Sequence, residues 1–311
     1  MGRGCALTTE FAGLIRAIQR ERRRRRAVIL SHYYQRPEVQ DIADCLGDSL
    51  ELARWAAGTD ADVIVFCGVH FMAESAAILS PDKIVLLPEI TAGCPMADMV
   101  TAEALRAKKA ELPGYEVVAY VNTSAEVKAE ADICCTSANV IKVIQSLPPE
   151  KPILFVPDAN LARYAARKTG REIVPWPGYC SVHDQLRAQD IIRAKAAHPG
   201  AAVLVHPECR EEVIEIADEV ASTSGMLRYA ANSDRREFII GTEEGLLYRL
   251  RQECPGKEFH LASPHLVCDS MKLTTLEKVL RALETLEPRV TVAPDVRRRA
   301  LQALERMLNL T

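Results

Sequence analysis

Ala27-Val28-Ile29-Leu30 is a short apolar strand that runs into a polar pair, His32 and Tyr34, and the chain repeats this arrangement twice more. Glu116-Val117-Val118-Ala119 leads to Tyr120 and Asn122, and Ala202-Val203-Leu204-Val205 leads to His206 and Glu208. Seventeen residues after the first member of each pair stands a hydroxyl: Ser49, Ser137 and Thr223. A cysteine followed by a helical run comes 60 to 62 residues after the same position. These cysteines, Cys94, Cys180 and Cys268, lie 86 and 88 residues apart in a chain of 311. A fixed period of this kind means repeated structural units.

Each unit reads as α/β. In the first, the strand at 27–31 leads to a helix over Val39–Cys45, a second helix from Ser49 to Ala57, and the continuous apolar run Asp62–Cys67. Such a run is the signature of a parallel strand buried on both faces. A helix at Ala73–Leu79, the strand Lys83–Leu87, the loop to Cys94 and a helix to Leu112 complete it. PILFVPD (152–158) and EFIIGTEEG (237–245) are the corresponding strands of the other copies. Pro113-Gly114, Pro199-Gly200 and Pro288 punctuate the boundaries. The expected fold is α/β: three homologous α/β/α sandwich domains with parallel sheets, in a pseudo-threefold arrangement around a central cluster. The expected limits are 1–26 for an N-terminal helix (Thr9–Arg24), 27–113, 114–199 and 200–288 for the repeats, and 289–311 for a C-terminal helix.

Residues two apart on a strand project from one face, and in parallel sheets ligands bind beyond the carboxyl ends of the strands. The three polar pairs therefore point to one cavity. The hydroxyls begin helices, where they are suited to capping. The same helix starts offer amide N–H groups to an anion, which suits a substrate with several carboxylates or phosphates. Glu208 is the only carboxylate among the six strand-end residues and is the natural general acid/base.

Three thiols at one repeat position suit a metal centre with an open coordination site. A [4Fe-4S] cluster usually takes four thiolates; held by three, it keeps one iron open to act as a Lewis acid. Buried structural thiols are the plain alternative. Zinc fits less well, because its sites usually carry closely paired ligands such as C-x-x-C, absent here. Cys5, Cys45, Cys67, Cys134, Cys135, Cys209 and Cys254 fall outside the spacing and read as core or bystander thiols.

Composition agrees with a cytoplasmic enzyme: 48% apolar, 26% charged, net charge −3. That charge gives no general nucleic-acid or membrane footprint, and no stretch approaches a membrane span. The run Arg22–Arg26 ends the N-terminal helix, where cations suit the helix dipole. No secretory signal is visible, so the thiols are expected to stay reduced.

The quoted motifs resemble a family. Ser31-His-Tyr-Tyr-Gln35, Gly47-Asp-Ser-Leu50, Phe66-Cys-Gly-Val69, Ala92-Gly-Cys94, Tyr120-Val-Asn-Thr-Ser124, Cys135-Thr-Ser-Ala-Asn139, His206-Pro-Glu-Cys209, Ser222-Thr-Ser224, Ile240-Gly-Thr-Glu243 and Cys268-Asp-Ser-Met-Lys272 are similar to those of quinolinate synthases. The resemblance runs from about residue 27 to 285. It implies a triangular three-domain enzyme of NAD biosynthesis, an iron–sulfur-dependent transferase that condenses iminoaspartate with dihydroxyacetone phosphate to quinolinate, phosphate and two waters. It further implies Cys94, Cys180 and Cys268 as ligands of a [4Fe-4S] cluster. His32, Ser49, Tyr120, Asn122, Ser137 and Thr223 are implied at the substrates, with Tyr34, His183, His206 and Glu208 as catalytic groups. The enzyme supplying iminoaspartate is a possible partner. Where some members carry a C-x-x-C-x-x-C stretch, this chain has Cys268 alone. His198, His260 and His265 match no motif and read as structural; Glu74 and Glu243 read as first-turn carboxylates favouring the helix dipole. A different cluster- or zinc-dependent lyase acting on a hydroxy acid, and an iron–sulfur carrier, are the competing functional classes.

Overall fold

The computed structural model describes residues 11–310. Cys5 and the first residues of the helix expected from Thr9 lie outside the described residues; that helix runs over Ala12–Arg24. Among the described residues, three four-stranded parallel sheets form. The first holds β1 (Ala27–His32), β2 (Cys45–Gly47), β3 (Val63–Cys67) and β4 (Ile84–Leu86). The second holds β5 (Glu116–Tyr120), β6 (Ile133–Cys135), β7 (Ile153–Val156) and β8 (Ile173–Pro175). The third holds β9 (Ala202–Val205), β10 (Glu219–Val220), β11 (Glu237–Gly241) and β12 (Glu258–Leu261). Strand order is the same in all three: second, first, third, fourth. β3, β7 and β9 are buried at every residue, as their unbroken apolar runs require when helices cover both faces of a parallel sheet, and β5 is buried throughout with its opening Glu116 paired to Lys151.

The register repeats as well. His32 pairs with Gly47 and Tyr120 with Cys135, so Ser49 and Ser137 stand two residues beyond those partners. Val205 pairs with Val220, which puts Thr223 in the corresponding place. The expected helix Val39–Cys45 divides: helix covers Pro37–Asp41, and Cys45 opens the edge strand β2. The cause is Asp44, whose amide donates to the Ile29 carbonyl at 2.9 Å while its Oδ2 accepts the Ile29 amide at 2.8 Å. Asp132 holds Val117 in the same way at 3.0 and 2.7 Å, and Asp218 holds Val203 at 2.9 and 2.7 Å. Each carboxylate satisfies a strand amide that would otherwise lack a partner and ties an edge strand of two or three residues to the sheet centre.

The described residues form two compact units, one joining those up to Cys94 with Asp269–Ala293, the other joining Pro95–Cys268 with those from Pro294 onward. In the first, helices Ala12–Arg24 and Leu276–Thr285 pack together over the sheet face that carries Ile29, Val63 and Val65. Helices Ser49–Gly58 and His70–Leu79 pack on each other and on β1, β2 and β4. In the second unit, Ile191 of helix Ala188–Ala197 joins Val203, Val205 and Ile239 in the core of the third sheet. Helix Ala102–Glu111 packs beside helix Ala125–Lys128, and Arg106 with Arg299 of helix Pro294–Leu308 grips Glu130 at 3.0 and 2.8 Å. The helix after each cysteine therefore packs in the following repeat, and the helix after Cys268 returns to the first. No helix among the described residues is long and apolar enough to cross a membrane.

Asp132→Ala leaves the Val117 amide without its acceptor, a loss of about 1–3 kcal/mol of stability. It should lower the urea midpoint measured by far-UV circular dichroism.

Candidate active site

Parallel strands end together, so residues just past β5, β7, β9 and β11 meet at one edge of the second unit. His206 and Glu208 follow β9, Tyr120 closes β5, Thr242 follows β11, and Cys180 and His183 lie at the helix Ser181–Asp184. Contacts join these groups. His183 Nδ1 lies 2.7 Å from Glu208 Oε2 and 3.3 Å from Cys180 Sγ, and its Nε2 lies 2.8 Å from Thr242 Oγ1. The His183 and His206 rings stack at 4.5 Å, with His206 Nδ1 3.6 Å from Glu208 Oε2. The Tyr120 hydroxyl donates to the Glu208 carboxylate. Glu208 accepts only, so His183 carries its proton on Nδ1.

All four of His183, His206, Glu208 and Tyr120 are less than 5% exposed. Burial by itself would raise the Glu208 carboxyl. The His206 and His183 imidazoles and the Tyr120 hydroxyl outweigh it and hold Glu208 below the usual carboxylate range. Asp158, fully buried past β7, goes the other way: burial, then the Glu208 charge, push it well above its ordinary value. Two buried carboxyls with opposite shifts leave the proton on Asp158 and the charge on Glu208. Asn160 steadies the array by donating to the Glu208 carbonyl at 3.2 Å and to Asp184 at 3.0 Å.

Two cysteines are held through their backbones. The Cys180 amide donates to the Asp158 carboxyl, and the Cys268 amide donates to Glu243 Oε1 at 3.1 Å. Asp158 and Glu243 both stand two residues past the third strand of their sheets. Glu243 is therefore more than a first-turn carboxylate: its Oε2 also takes the Gly245 amide at 2.7 Å, and it is wholly buried. Gly178 lets the Cys180 loop lie against the Pro157 carbonyl; a Cβ there would meet that oxygen at 2.5 Å. Asp158, Glu243 and Thr242 were not assigned from sequence as site residues. Their signal was a polar residue one or two positions after an apolar strand, as at His206.

Asn122, Ser137 and Thr223 keep their repeat positions but share no hydrogen bond with the Glu208 array among the described residues. The Asn122 Oδ1 is buried without a hydrogen-bond partner. Capping falls to neighbours rather than to the expected hydroxyls: Ser222 caps Thr223–Asn232, and Asp48 caps Ser49–Gly58 while its own amide donates to the Glu51 carboxylate. Thr136 and Asn139 hold the turn at Ser137. The three hydroxyls are thereby released from capping.

In the first unit, His32 is buried, its Nδ1 accepts the Tyr34 amide at 3.1 Å, and the two rings meet edge-on at 4.5 Å. The Glu208 amide approaches His206 Nδ1 in the equivalent way at 3.4 Å. Lys272 Nζ donates to the Tyr34 carbonyl at 2.7 Å. Cys94 sits in a loop organised by Glu89, which takes the Thr91 amide at 3.0 Å and Lys278 Nζ at 2.6 Å.

The thiols fall into two groups. Cys67 and Cys134 are pushed up to about 12 and Cys45 to about 11 by burial, and Cys135, Cys209 and Cys254 are raised for the same reason. Buried thiols of this kind are inert. Cys94, Cys180 and Cys268 are all partly exposed, and the described cysteines form no disulfide. That set of donors fits a thiolate-ligated iron–sulfur cluster.

A family model described as quinolinate synthetase A protein matches residues 16–309. The quinolinate synthase of Desulforudis audaxviator is 64% identical over 297 residues, covering 96% of this chain and 98% of the relative. That of Methanoregula boonei is 60% identical over 293 residues, covering 94% and 97%. That of Methanosarcina barkeri is 56% identical over 297 residues, covering 96% and 97%. With the buried histidine–glutamate array beside a partly exposed thiol, and similarity along nearly the whole chain, the protein belongs to the quinolinate synthase family.

Proposed function

We propose that this enzyme condenses iminoaspartate with dihydroxyacetone phosphate to give quinolinate, phosphate and two waters, in the cytoplasm, for de novo NAD biosynthesis. The observation that carries the proposal is the His183–Glu208–His206 array at the carboxyl ends of parallel strands. Ring formation needs loss of phosphate, a carbon–carbon bond from an enamine, an imine condensation and two dehydrations. Every one of these steps moves a proton, so several acid/base groups of different strength are needed. In this proposal Glu208 stays ionised and orients the His183 and His206 imidazoles, which move protons to and from the reacting groups. Tyr34 and Tyr120 supply further O–H groups, while Asn122 offers its buried Oδ1 to a substrate donor. Helix starts at Ser49, Ser137 and Thr223 offer amides to carboxylate or phosphate, and His32 completes the substrate contacts.

Cys94, Cys180 and Cys268 would hold a [4Fe-4S] cluster, which when bound supplies a Lewis-acidic iron for a hydroxyl leaving group. The repeats would span 27–113, 114–199 and 200–288 in a pseudo-threefold arrangement, with 1–26 and 289–311 outside them. Iminoaspartate would come from the enzyme that makes it; no nucleic acid or membrane takes part.

Cys180, His183 and Glu208 also offer ligand atoms all within 4.8 Å of one another, which suits a single zinc ion and a zinc-dependent lyase. Anaerobic metal analysis separates the two. Iron and sulfide near four each per chain, with quinolinate formed from the two named substrates, supports the first; one zinc without sulfide supports the second.

Replacing Cys94, Cys180 or Cys268 by Ala should remove iron and sulfide and abolish turnover, whereas Cys67→Ala should retain the iron and cost only packing. Iron at wild-type levels in Cys180→Ala would overturn the ligand assignment. Glu208→Gln keeps size and hydrogen bonding but not the charge, so it should keep the cluster and lose about 10² or more of kcat. Quinolinate formation at matched iron content measures it, and near wild-type kcat would remove Glu208 from the chemistry.

A further inference from the structure

The third sheet carries a second cluster of metal-ligating side chains at the opposite end of its strands from His206 and Thr242. Glu237 opens β11, His260 lies in β12, and His198 ends helix Ala188–Ala197. Glu237 Oε1 lies 2.8 Å from His198 Nδ1 and 3.0 Å from His260 Nε2. The two imidazoles stack at 3.5 Å, so both nitrogens face the same carboxylate. Glu258, paired with Glu237 in register, has its Oε2 4.0 Å from His260 Nε2. Two carboxylates side by side on adjacent strands repel each other, and a dication between them and the imidazoles relieves this.

The fold does not demand these residues. The helices corresponding to Ala188–Ala197 end at Leu112 and Leu286, where this one ends at His198. The strand register matches His260 to Val174 and Leu86, and Glu237 to Pro152 and Val63. Apolar side chains therefore serve both other repeats, and the third alone has exchanged them for two histidines and a glutamate.

We propose that His198 Nδ1, His260 Nε2 and the Glu237 carboxylate form a zinc site, with Glu258 or water as fourth ligand, separate from the cysteine positions. Imidazole and carboxylate donors suit Zn²⁺, at about 2.0–2.2 Å from each atom. The three ligand atoms already lie within 4.8 Å of one another. Binding requires each ring to carry its proton on the other nitrogen, Nε2 of His198 and Nδ1 of His260. The ion would tie the end of helix Ala188–Ala197 to the amino-terminal edge of β11 and β12.

The test uses the anaerobically purified protein with its iron retained. Wild type dialysed against Zn²⁺ should hold one zinc per chain beyond its iron, with a nitrogen/oxygen-only environment at the zinc X-ray absorption edge. His198→Ala and His260→Gln should each weaken that zinc about 100-fold or more, since the loss of an outer partner alone costs 10–100-fold. Iron content and quinolinate formation should not change. His260→Gln keeps a donor for Glu237, so a fold dependent only on that hydrogen bond survives it. Absence of the extra zinc from wild type, equal zinc in the variants, or sulfur in the zinc environment would each overturn the site.

Discussion

Parallel pairing about the first strand of each repeat is the constraint from which the site follows. Because β1, β5 and β9 each take an edge strand on one side and a long strand on the other in equivalent register, equivalent residues leave each sheet at its carboxyl edge. At that edge stand the polar pair, the hydroxyl two or three residues past the edge strand, and the residue two past the third strand. The register in turn depends on a small contact. A carboxylate on Asp44, Asp132 or Asp218 takes the amide of Ile29, Val117 or Val203. Edge strands of two or three residues have too few ladder bonds of their own, and these bonds anchor them. A one-residue slip would exchange every inward side chain for an outward one and scatter the groups at the carboxyl edge.

That edge gathers charge in a dry place, which is costly unless each group is matched. Glu208 is matched by two imidazoles and a phenol, while burial first and the Glu208 charge second hold the Asp158 carboxyl well above its ordinary value. Asp158 and Glu243 do a second job, each accepting the backbone amide of a cysteine. Through Asp158 the Cys180 backbone and the buried Glu208 array are therefore coupled. A change at Asp158 would be felt both at the Cys180 backbone and at Glu208.

Repetition did not make the repeats identical. The first has Val69 where the others have Asp158 and Glu243, and its cysteine loop is organised instead by Glu89 with Lys278 and by the His70 amide on the Ala92 carbonyl. The strand-end pairs differ too: histidine with tyrosine, tyrosine with asparagine, histidine with glutamate. The three sheets thus share a plan but carry three different polar sets at their carboxyl edges.

The sequence by itself determined the three-part α/β plan, the strand-end pairs and the thiol spacing, because each is a local pattern: an apolar run, a period of two, a recurring offset. The edge strands were not legible, since two or three residues carry no periodicity, and Asp44 decides their position through a hydrogen bond to a residue fifteen positions away. The bond from His183 to Glu208, the stacking of His183 on His206, and the Tyr120 hydroxyl on Glu208 were decided only by the tertiary structure. These residues come from different repeats, and no spacing along one strand or helix says which will meet. The opposite shifts of Glu208 and Asp158 were hidden for the same reason: a carboxyl's strength is set by burial and neighbouring charge, and both are properties of the folded chain.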